Sequence, residues 1–205
     1  LENSGVTVYE DVGPARFVDA HTIELGDTGT QLSAQYFIIC AGGHARKLPF
    51  PGAEHALTHG DVWSLREMPR RMVVIGAAAT GCQLASIMNT FGAQVTVLDV
   101  APHILPIEDE AVTEALQKAF TARGINIICG MSGVERVEKN ADGLRLVYKK
   151  EGQEFTLDTD AVIVAVGWPG NVDALNLPAA GVEVEKGYIV ADDRLRSTAP
   201  HIFIA

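Results

Sequence analysis

The sequence is poor in several residue types, and each shortage excludes a class of protein. Its 205 residues include three cysteines, at positions 40, 82 and 129, with no Cys-x-x-Cys or other closely spaced pair. We therefore expect neither a disulfide framework nor a thiolate metal site. The six histidines are scattered. His55 and His59 are four residues apart, but they lie in a loop-like stretch, so we expect no metal site there either.

Basic residues and long apolar runs are also scarce. The chain has 16 Lys and Arg against 26 Asp and Glu, a formal net charge of −10. This excludes a general nucleic-acid binder, because such proteins need a basic surface to displace counterions from phosphate. The longest apolar run, Ala161–Val166, is far shorter than the roughly 20 residues of a membrane-spanning helix. With no secretory signal pattern either, we expect a cytoplasmic protein without a membrane partner.

The two ends of the chain are unusual for a complete protein. The sequence begins with Leu1 in place of Met, and its last five residues, HIFIA, resemble the first half of a buried strand. We therefore expect a piece of a longer protein.

The first 62 residues predict short strands followed by a crossover. Short β-type runs alternate with turn residues and predict an antiparallel meander; they are Val6–Tyr9, Arg16–Val18, Thr22–Leu25 and Tyr36–Ile39. Residues 41–52 are punctuated by glycine and proline, which predicts a crossover loop and a domain boundary. A short helical turn is expected around Val62–Glu67.

From Arg71 the pattern becomes that of an α/β domain. Unbroken apolar runs are typical of parallel strands buried on both faces; they are Met72–Ile75, Gln94–Leu98, Ile125–Cys129 and Ala161–Val166. Helices are predicted over Ala79–Phe91 and from Glu108 to Gly124, the second with three acids in its first turn. Three runs within residues 134–157, joined by tight turns, predict an antiparallel meander. This order predicts a Rossmann-like, three-layer α/β domain whose last crossover is a β-meander.

The turn after the first parallel strand carries the candidate binding site. Gly76-Ala77-Ala78-Ala79-Thr80-Gly81 stands between a predicted strand and a predicted helix, and Asp99 follows the next strand. In the dinucleotide-binding fingerprint, this turn and the helix N–H groups receive the pyrophosphate, and the acid binds the adenosine ribose. The alternative is that Gly76 and Gly81 are only the turn and packing glycines of a βαβ unit.

Two features of this segment bear on the ligand. Ala78 stands where the fingerprint normally has glycine, and its methyl group would push the phosphates outward or weaken their binding. No lysine or arginine occurs between Arg71 and Lys118. A 2′-phosphate needs a cation to hold it, and Asp99 would repel it. We therefore expect NAD(H) to be favoured over NADP(H).

Six segments, in order along the chain, carry a family resemblance. They are Ile38–Gly43 (IICAGG), Val62–Pro69 (VWSLREMP), Val73–Ala85, Ile104–Glu110 (ILPIEDE), Ala161–Asn171 (AVIVAVGWPGN) and Asp193–Ala205 (DRLRSTAPHIFIA). Together they resemble the FAD-dependent pyridine nucleotide–disulfide oxidoreductases, the family of dihydrolipoamide dehydrogenase, glutathione reductase and mercuric reductase. Several ordered motifs are far more specific than the glycine turn alone.

The resemblance implies a flavoenzyme in which NADH passes a hydride to FAD, with only the middle of that enzyme represented in this chain. It implies an NAD(H)-binding domain at residues 63–189, flanked by remnants of an FAD-binding domain at residues 1–62 and 190–205. The family's redox cysteine pair, His–Glu pair and interface domain have no counterpart in the chain. We therefore expect nucleotide binding without turnover, no catalytic residue in this chain, and a homodimer for the full-length protein.

The resemblance also assigns individual residues. It implies that Gly76 to Gly81 contact the pyrophosphate, that Asp99 binds the adenosine ribose, and that Val134 lies beside adenine. Gly167 falls near the nicotinamide end, and Gln83 falls where many members have a Glu near the nicotinamide ribose. The remaining assignments, Ala41, Gly42 and Gly43, are to the flavin edge. Three positions differ from the family's pattern: Gly42 stands in place of a Thr, Thr80 in place of a common Ile, and Trp168 in place of an Arg.

Two other functions stay open from the sequence. A nucleotide-sensing or regulatory module could keep the Rossmann domain and lose dinucleotide turnover, and the residues at positions 78, 80 and 83 motivate this reading. An S-adenosylmethionine-dependent methyltransferase shares the order of strand, glycine turn, helix and acid. The meander after the third parallel strand and the segment GWPG after the fourth argue against a methyltransferase.

Overall fold

A computed structural model describes residues 4–205, which form two compact units. The central unit is Ala45–Trp168, and the terminal unit combines the described part of Leu1–His44 with Pro169–Ala205. Within residues 4–205, neither the length nor the hydropathy of any helix reaches what a membrane-spanning segment requires.

Strands outnumber α-helices in residues 4–205. In chain order, the strands are β1 (Ala15–Asp19), β2 (Thr22–Leu25), β3 (Gln31–Ser33), β4 (Phe37–Ile39), β5 (Leu57–Thr58), β6 (Arg71–Ile75), β7 (Gln94–Leu98), β8 (Asn126–Ile128), β9 (Gly133–Asn140), β10 (Gly143–Lys150), β11 (Gln153–Thr159), β12 (Ala161–Val164), β13 (Val184–Glu185), β14 (Tyr188–Ile189) and β15 (Ile202–Ile204). The α-helices are α1 (Ala79–Thr90) and α2 (Glu110–Ala122).

The central unit is built on a five-stranded parallel sheet in the order β5-β12-β6-β7-β8. Its strands are apolar at consecutive positions because both faces of the sheet are covered. Along β6, Met72 and Val74 pack into the cluster that contains α1 and α2 side chains, whereas Val73 and Ile75 pack into the cluster of the meander. The predicted parallel strands and the three-layer α/β architecture are confirmed.

The meander of β9, β10 and β11 covers the second face of the sheet. The three strands are antiparallel and in chain order, as the sequence predicts. Leu146 and Tyr148 of β10 are buried against Val162 and Val164 of β12. This sheet takes the place of the helical crossover that would otherwise connect β8 to β12.

The second helix begins later than predicted. Helix α2 starts at Glu110, and Asp109 caps it by accepting a hydrogen bond at 2.9 Å from the Ala111 N–H. Glu108 precedes the helix, where its N–H donates to the Leu105 carbonyl. Of the three acids predicted for the first turn, only Glu110 lies in it, because Asp109 is the N-cap residue and Glu108 precedes the helix.

The terminal unit agrees with the predicted meander only in part. Strands β1, β2 and β3 are antiparallel neighbours. Residues 6–9 form no strand and are exposed. Strand β4 pairs in parallel with β15 rather than continuing the meander. The core of this unit joins Phe17 of β1 with Leu177, Val182 and Ile202, so residues after 169 are needed to bury the first strands.

The compact units divide after His44, inside the predicted crossover loop of residues 41–52, and after Trp168, whereas the family resemblance implies domain boundaries at residues 62 and 189. Residues 45–61 belong to the central unit because β5 pairs with β12 and the next residue, Val62, is buried in the cluster of α1. Residues 169–189 belong to the terminal unit because Leu177 and Ala180 are buried against Phe17. The apolar contacts therefore place the boundaries after His44 and after Trp168.

Candidate functional site

The turn between β6 and α1 requires glycine at two positions. Gly76 has a φ of +103°, and a side chain there would overlap the carbonyl oxygen of Ala165. A side chain at Gly81 would overlap the carbonyl oxygen of Gly76. The two glycines thus let α1 begin directly against the end of the sheet, which aims the first turn of the helix across the carboxyl edge.

The first turn of α1 keeps backbone donors available. Ala78 is the N-cap residue, and within residues 4–205 no side chain caps this end of the helix. The first N–H groups of a helix have no partner inside the helix and carry its positive dipole end. Ala78 and Ala79 are exposed, so their methyl groups lie on the surface that an anion would approach.

Asp99, just past the end of β7, is fixed by the backbone of the turns beside it. One carboxylate oxygen accepts a hydrogen bond from the Ala77 N–H at 2.5 Å, and the other accepts from the Ala101 N–H at 2.8 Å. The side chain is half-buried. Since each carboxylate oxygen has a second lone pair, Asp99 can still accept hydrogen bonds from ligand hydroxyl groups.

A cavity of about 440 Å³ brings together residues from distant parts of the chain. Gly76, Asp99 and Val134, all assigned to the ligand from the sequence, line it together. Its volume falls within the roughly 300–1,000 Å³ typical of small-molecule sites. The lining residues that sequence reasoning missed are Arg46, Leu48, Pro49, Phe50, Ile75, Val100, Met131, Gly133 and Val166.

The segment of residues 46–50 forms one wall of this cavity, although the sequence indicates only a loop there. The Arg46 N–H donates to the Gly167 carbonyl at 3.0 Å, and Phe50 is 9% exposed in the meander cluster. No local pattern predicts such a wall, because the contacts join segments more than 80 residues apart. The absence of lysine and arginine between Arg71 and Lys118 therefore does not mean that the cavity lacks a basic residue, since Arg46 lines it.

Gly167 and Gln83, the residues assigned to the nicotinamide end, do not line this cavity, although the Gly167 carbonyl accepts a hydrogen bond from the Arg46 N–H. Next to Gly167, the Trp168 indole N–H donates to the Thr80 hydroxyl at 3.3 Å, and the indole ring lies 3.5 Å from the His59 ring, centroid to centroid. The indole thus lies beside the first turn of α1. Gln83 is exposed and lines a separate cavity of about 390 Å³ between α1 and α2.

The residues assigned to the flavin edge lie in the terminal unit. The Ala41 and Gly42 carbonyls accept hydrogen bonds from the side chain and backbone of Asn171, and Gly43 forms a bridge with Gly170. Ala41 also lines an apolar cavity of about 250 Å³. This volume is below the roughly 300–1,000 Å³ of small-molecule pockets, so this cavity is too small to enclose FAD by itself.

The thiols near the turn are structural rather than reactive. Cys82 donates a hydrogen bond to the Ala77 carbonyl at 3.2 Å, and burial raises its pKa to about 11. Burial also raises the pKa of Cys129. Both thiols are therefore protonated at neutral pH. Within residues 4–205, no group of three or more His, Cys, Asp or Glu side chains is placed to hold a metal ion.

Comparison with known families decides the relationship that the sequence motifs indicated. The sequence model of the family described as pyridine nucleotide-disulphide oxidoreductase matches residues 1–205. The chain belongs to this family. Its members are FAD-dependent oxidoreductases that use NAD(P).

Curated relatives agree with this assignment. The chain is 32% identical over 196 residues to a mercuric reductase of Bacillus cereus, covering 94% of this chain and 31% of that enzyme. It is 34% identical over 175 residues to a dihydrolipoyl dehydrogenase of Chlorobaculum tepidum, covering 84% of this chain and 37% of that enzyme. The chain thus spans about a third of the length of the curated pyridine nucleotide-disulphide oxidoreductases it matches.

A solved structure supports the fold. The HOCl-induced flavoprotein disulfide reductase RclA from Escherichia coli superposes with a TM-score of 0.78 at 24% identity. The superposition covers 94% of this chain and 44% of RclA. The α/β fold of this chain is therefore shared with that flavoprotein disulfide reductase.

Proposed function

We propose that the central unit binds NAD(H), with the adenosine half of the dinucleotide in the cavity beside β6 and β7. The observation that carries this proposal is that Gly76, Asp99 and Val134 line one cavity at the carboxyl edge of the parallel sheet. This edge is where ligands bind in open α/β sheets. Family membership, established from the whole chain, agrees with such a ligand but does not fix it.

Each part of the dinucleotide has a partner of suitable chemistry. The ribose hydroxyls of adenosine donate to the carboxylate of Asp99, which the N–H groups of Ala77 and Ala101 already orient. The pyrophosphate lies across the turn from Gly76 to Gly81, opposite the first N–H groups of α1. The adenine ring lies against Val134. The nicotinamide end extends toward Gly167 and Gln83, on the side where Trp168 contacts Thr80.

A preference for NAD(H) over NADP(H) is part of this proposal. It rests on Asp99, whose carboxylate would repel a 2′-phosphate and would lose its hydrogen bond to the 2′-hydroxyl. The absence of basic residues between Arg71 and Lys118 no longer supports this preference, because Arg46 lines the same cavity.

For the whole protein we propose a cytoplasmic, homodimeric oxidoreductase whose flavin accepts hydride from NADH. The terminal unit would then contribute Ala41, Gly42 and Gly43 to the flavin edge, with other parts of the protein completing that site. Bound flavin supplies the hydride acceptor, and this chain's role is to bind and orient the nucleotide. The chain by itself binds NADH without turnover, because hydride transfer needs an acceptor within contact distance of the nicotinamide.

A second candidate function is a nucleotide-sensing or regulatory module. The contact of the Trp168 indole with Thr80, beside the exposed methyl groups of Ala78 and Ala79, favours it because these groups crowd the path toward the nicotinamide end. A folded protein that binds adenosine or ADP but not NADH supports this second function, whereas NADH binding supports the first.

Calorimetric titration of Asp99 variants tests the main proposal. Asp99→Ala should weaken NADH binding by about tenfold and reduce discrimination against NADPH, because it removes hydrogen bonds between a charged group and the ribose. Asp99→Arg should reverse the preference toward NADPH, since a guanidinium pairs with the 2′-phosphate.

Glu114→Ala is the matched control for this titration. It removes the same charge from an exposed position on α2, outside the cavity, and should leave both affinities unchanged. Equal NADH affinities in the wild-type protein, Asp99→Ala and Asp99→Arg would overturn the assignment of the site.

A further inference from the structure

The cavity contains a cation whose role the proposed function does not assign. Arg46 lines it together with Gly76 and Asp99, and among the described residues of the lining Arg46 is the only lysine or arginine. Asp99 is the only acid among those same residues. The cavity therefore has a positive and a negative side chain.

The backbone of Arg46 lies near the turn that follows β6. Its N–H donates to the Gly167 carbonyl, three residues beyond the end of β12. Gly76 lies against the same stretch, since a Cβ built there would be 3.2 Å from a methyl carbon of Val166. In the sheet, β6 lies between β12 and β7. The backbone of Arg46 is therefore on the β12 side of β6, and Asp99 is on the β7 side. Gly76 lies between them.

A dinucleotide at this turn needs a positive charge close to its phosphates. The pyrophosphate carries two negative charges, while the chain has a net charge of −10 and the cavity already contains Asp99. Ala78 is exposed, and its methyl group would hold the phosphates farther from the N–H groups of α1 than glycine would. A guanidinium can bind phosphate oxygens in a bidentate manner and does so across a longer reach than a backbone N–H.

We propose that Arg46 binds the pyrophosphate of the dinucleotide and compensates for alanine at position 78. The inference rests on the proposed function, because it needs a dinucleotide in the cavity. It assigns the two charged lining residues to different parts of one ligand, with Asp99 on the adenosine ribose and Arg46 on the phosphates.

A series of ligands that differ in phosphate content tests this assignment. Isothermal titration of the wild-type protein and of Arg46→Ala would use adenosine, 2′-AMP, ADP and NADH. Arg46→Ala should lower the affinities for ADP and NADH about tenfold or more. The affinities for adenosine and 2′-AMP should stay within about twofold of the wild-type values. Raising the salt concentration should weaken ADP binding more steeply in the wild-type protein than in Arg46→Ala, because a charge contact is screened.

Lys47→Ala is the matched control, since it removes the same charge from an exposed neighbour that does not line the cavity. All four affinities should be unchanged. Arg46→Lys should recover part of the ADP affinity, and Arg46→Gln, which keeps much of the side chain's length, should behave like Arg46→Ala.

The possible failures separate this inference from the proposed function. NADH binding that depends on Asp99 but not on Arg46 overturns the role of Arg46 alone. An equal loss for adenosine and ADP overturns it too, because Arg46 would then only shape the cavity. A loss confined to 2′-AMP would assign Arg46 to a 2′-phosphate instead. No binding of NADH to the wild-type protein overturns the proposed function itself.

Discussion

Gly76 shows how a single residue decides the geometry of the site. Its positive φ turns the chain from the end of β6 into α1, and its missing side chain leaves room for the Ala165 carbonyl. A strand that ran straight on would carry the helix N-terminus away from Asp99. The hydrogen bond from the Ala77 N–H to Asp99 depends on the same turn.

Replacing this glycine should therefore destabilise the fold. We expect Gly76→Ala to lower the free energy of unfolding by about 2 kcal/mol or more, because it combines an unfavourable φ with overlap of backbone atoms. Gly60→Ala is the control: Gly60 has a φ of −73°, and a Cβ there would be 3.7 Å from its nearest neighbour, the Thr58 hydroxyl oxygen. Urea denaturation of both variants measures the difference, and equal stability would contradict this account of the turn.

The residues that line the cavity differ in how far the sequence could assign them to the site. Gly76 and Asp99 could be assigned because the fingerprint is local: a turn after one strand and an acid after the next. Val134 could be assigned only through family resemblance. Arg46 and Phe50 could not be found, since nothing in a Gly- and Pro-rich stretch indicates which distant strand ends it will contact.

Among the elements, the proposed ligand contacts lie at the carboxyl edge of the central sheet, and an ion pair between Arg71 and Asp160 lies at the opposite edge. Where β6 and β12 begin, Asp160 accepts hydrogen bonds from the Arg71 side chain and from its backbone N–H, with the shortest at 2.5 Å. The Arg71 guanidinium holds the pKa of Asp160 below its ordinary value. This pair aligns two neighbouring parallel strands far from Asp99.

The pair should make stability depend on pH. Folding lowers the pKa of Asp160, so ionised Asp160 stabilises the folded protein. This contribution to the free energy of unfolding is present above about pH 4, the pKa of an unfolded aspartate, and is lost as the pH falls through the lowered pKa of the folded state. Asp160→Asn should therefore lower the free energy of unfolding by about 1 kcal/mol at pH 7 and by less at pH 3, as measured by urea denaturation. Nucleotide affinity should not change.

Glu67→Gln, at an exposed position before β6, should leave stability unchanged at both pH values and so serves as the control. A difference between the wild-type protein and Asp160→Asn that is the same at pH 7 and pH 3 would contradict an ionised Asp160 as the source of the effect.

The sequence predicted individual strands and helices better than it predicted which strands pair with one another. Unbroken apolar runs identified the parallel strands because both faces of that sheet are covered, and tight turns identified β9, β10 and β11. The start of α2 was missed by two residues because three consecutive acids all suit a helix N-terminus, and only the contact of Asp109 with Ala111 selects one as the cap. The parallel pairing of β4 with β15 joins residues over 160 positions apart, which no local pattern indicates.

At the scale of the whole chain, the two units divide the proposed functions. The central unit contains every residue of the cavity, and the terminal unit contains Ala41, Gly42 and Gly43. The division after His44 lies inside the Gly- and Pro-rich loop of residues 41–52, which the sequence predicts as a domain boundary. The bounds of the NAD(H)-binding domain that the family resemblance implies, residues 63–189, differ from those of the compact unit Ala45–Trp168. The contacts of Val62 and Leu177, rather than the change of periodicity, decide where each unit ends.

The central claim is that the cavity beside β6 and β7 holds the adenosine half of NAD(H), and a crystal structure of the protein with NADH tests it most directly. We predict that the ribose hydroxyls lie within hydrogen-bond distance of the Asp99 carboxylate, with the pyrophosphate opposite the turn from Gly76 to Gly81. Adenosine bound elsewhere, or a turn closed to the phosphates by the methyl groups of Ala78 and Ala79, would contradict the account.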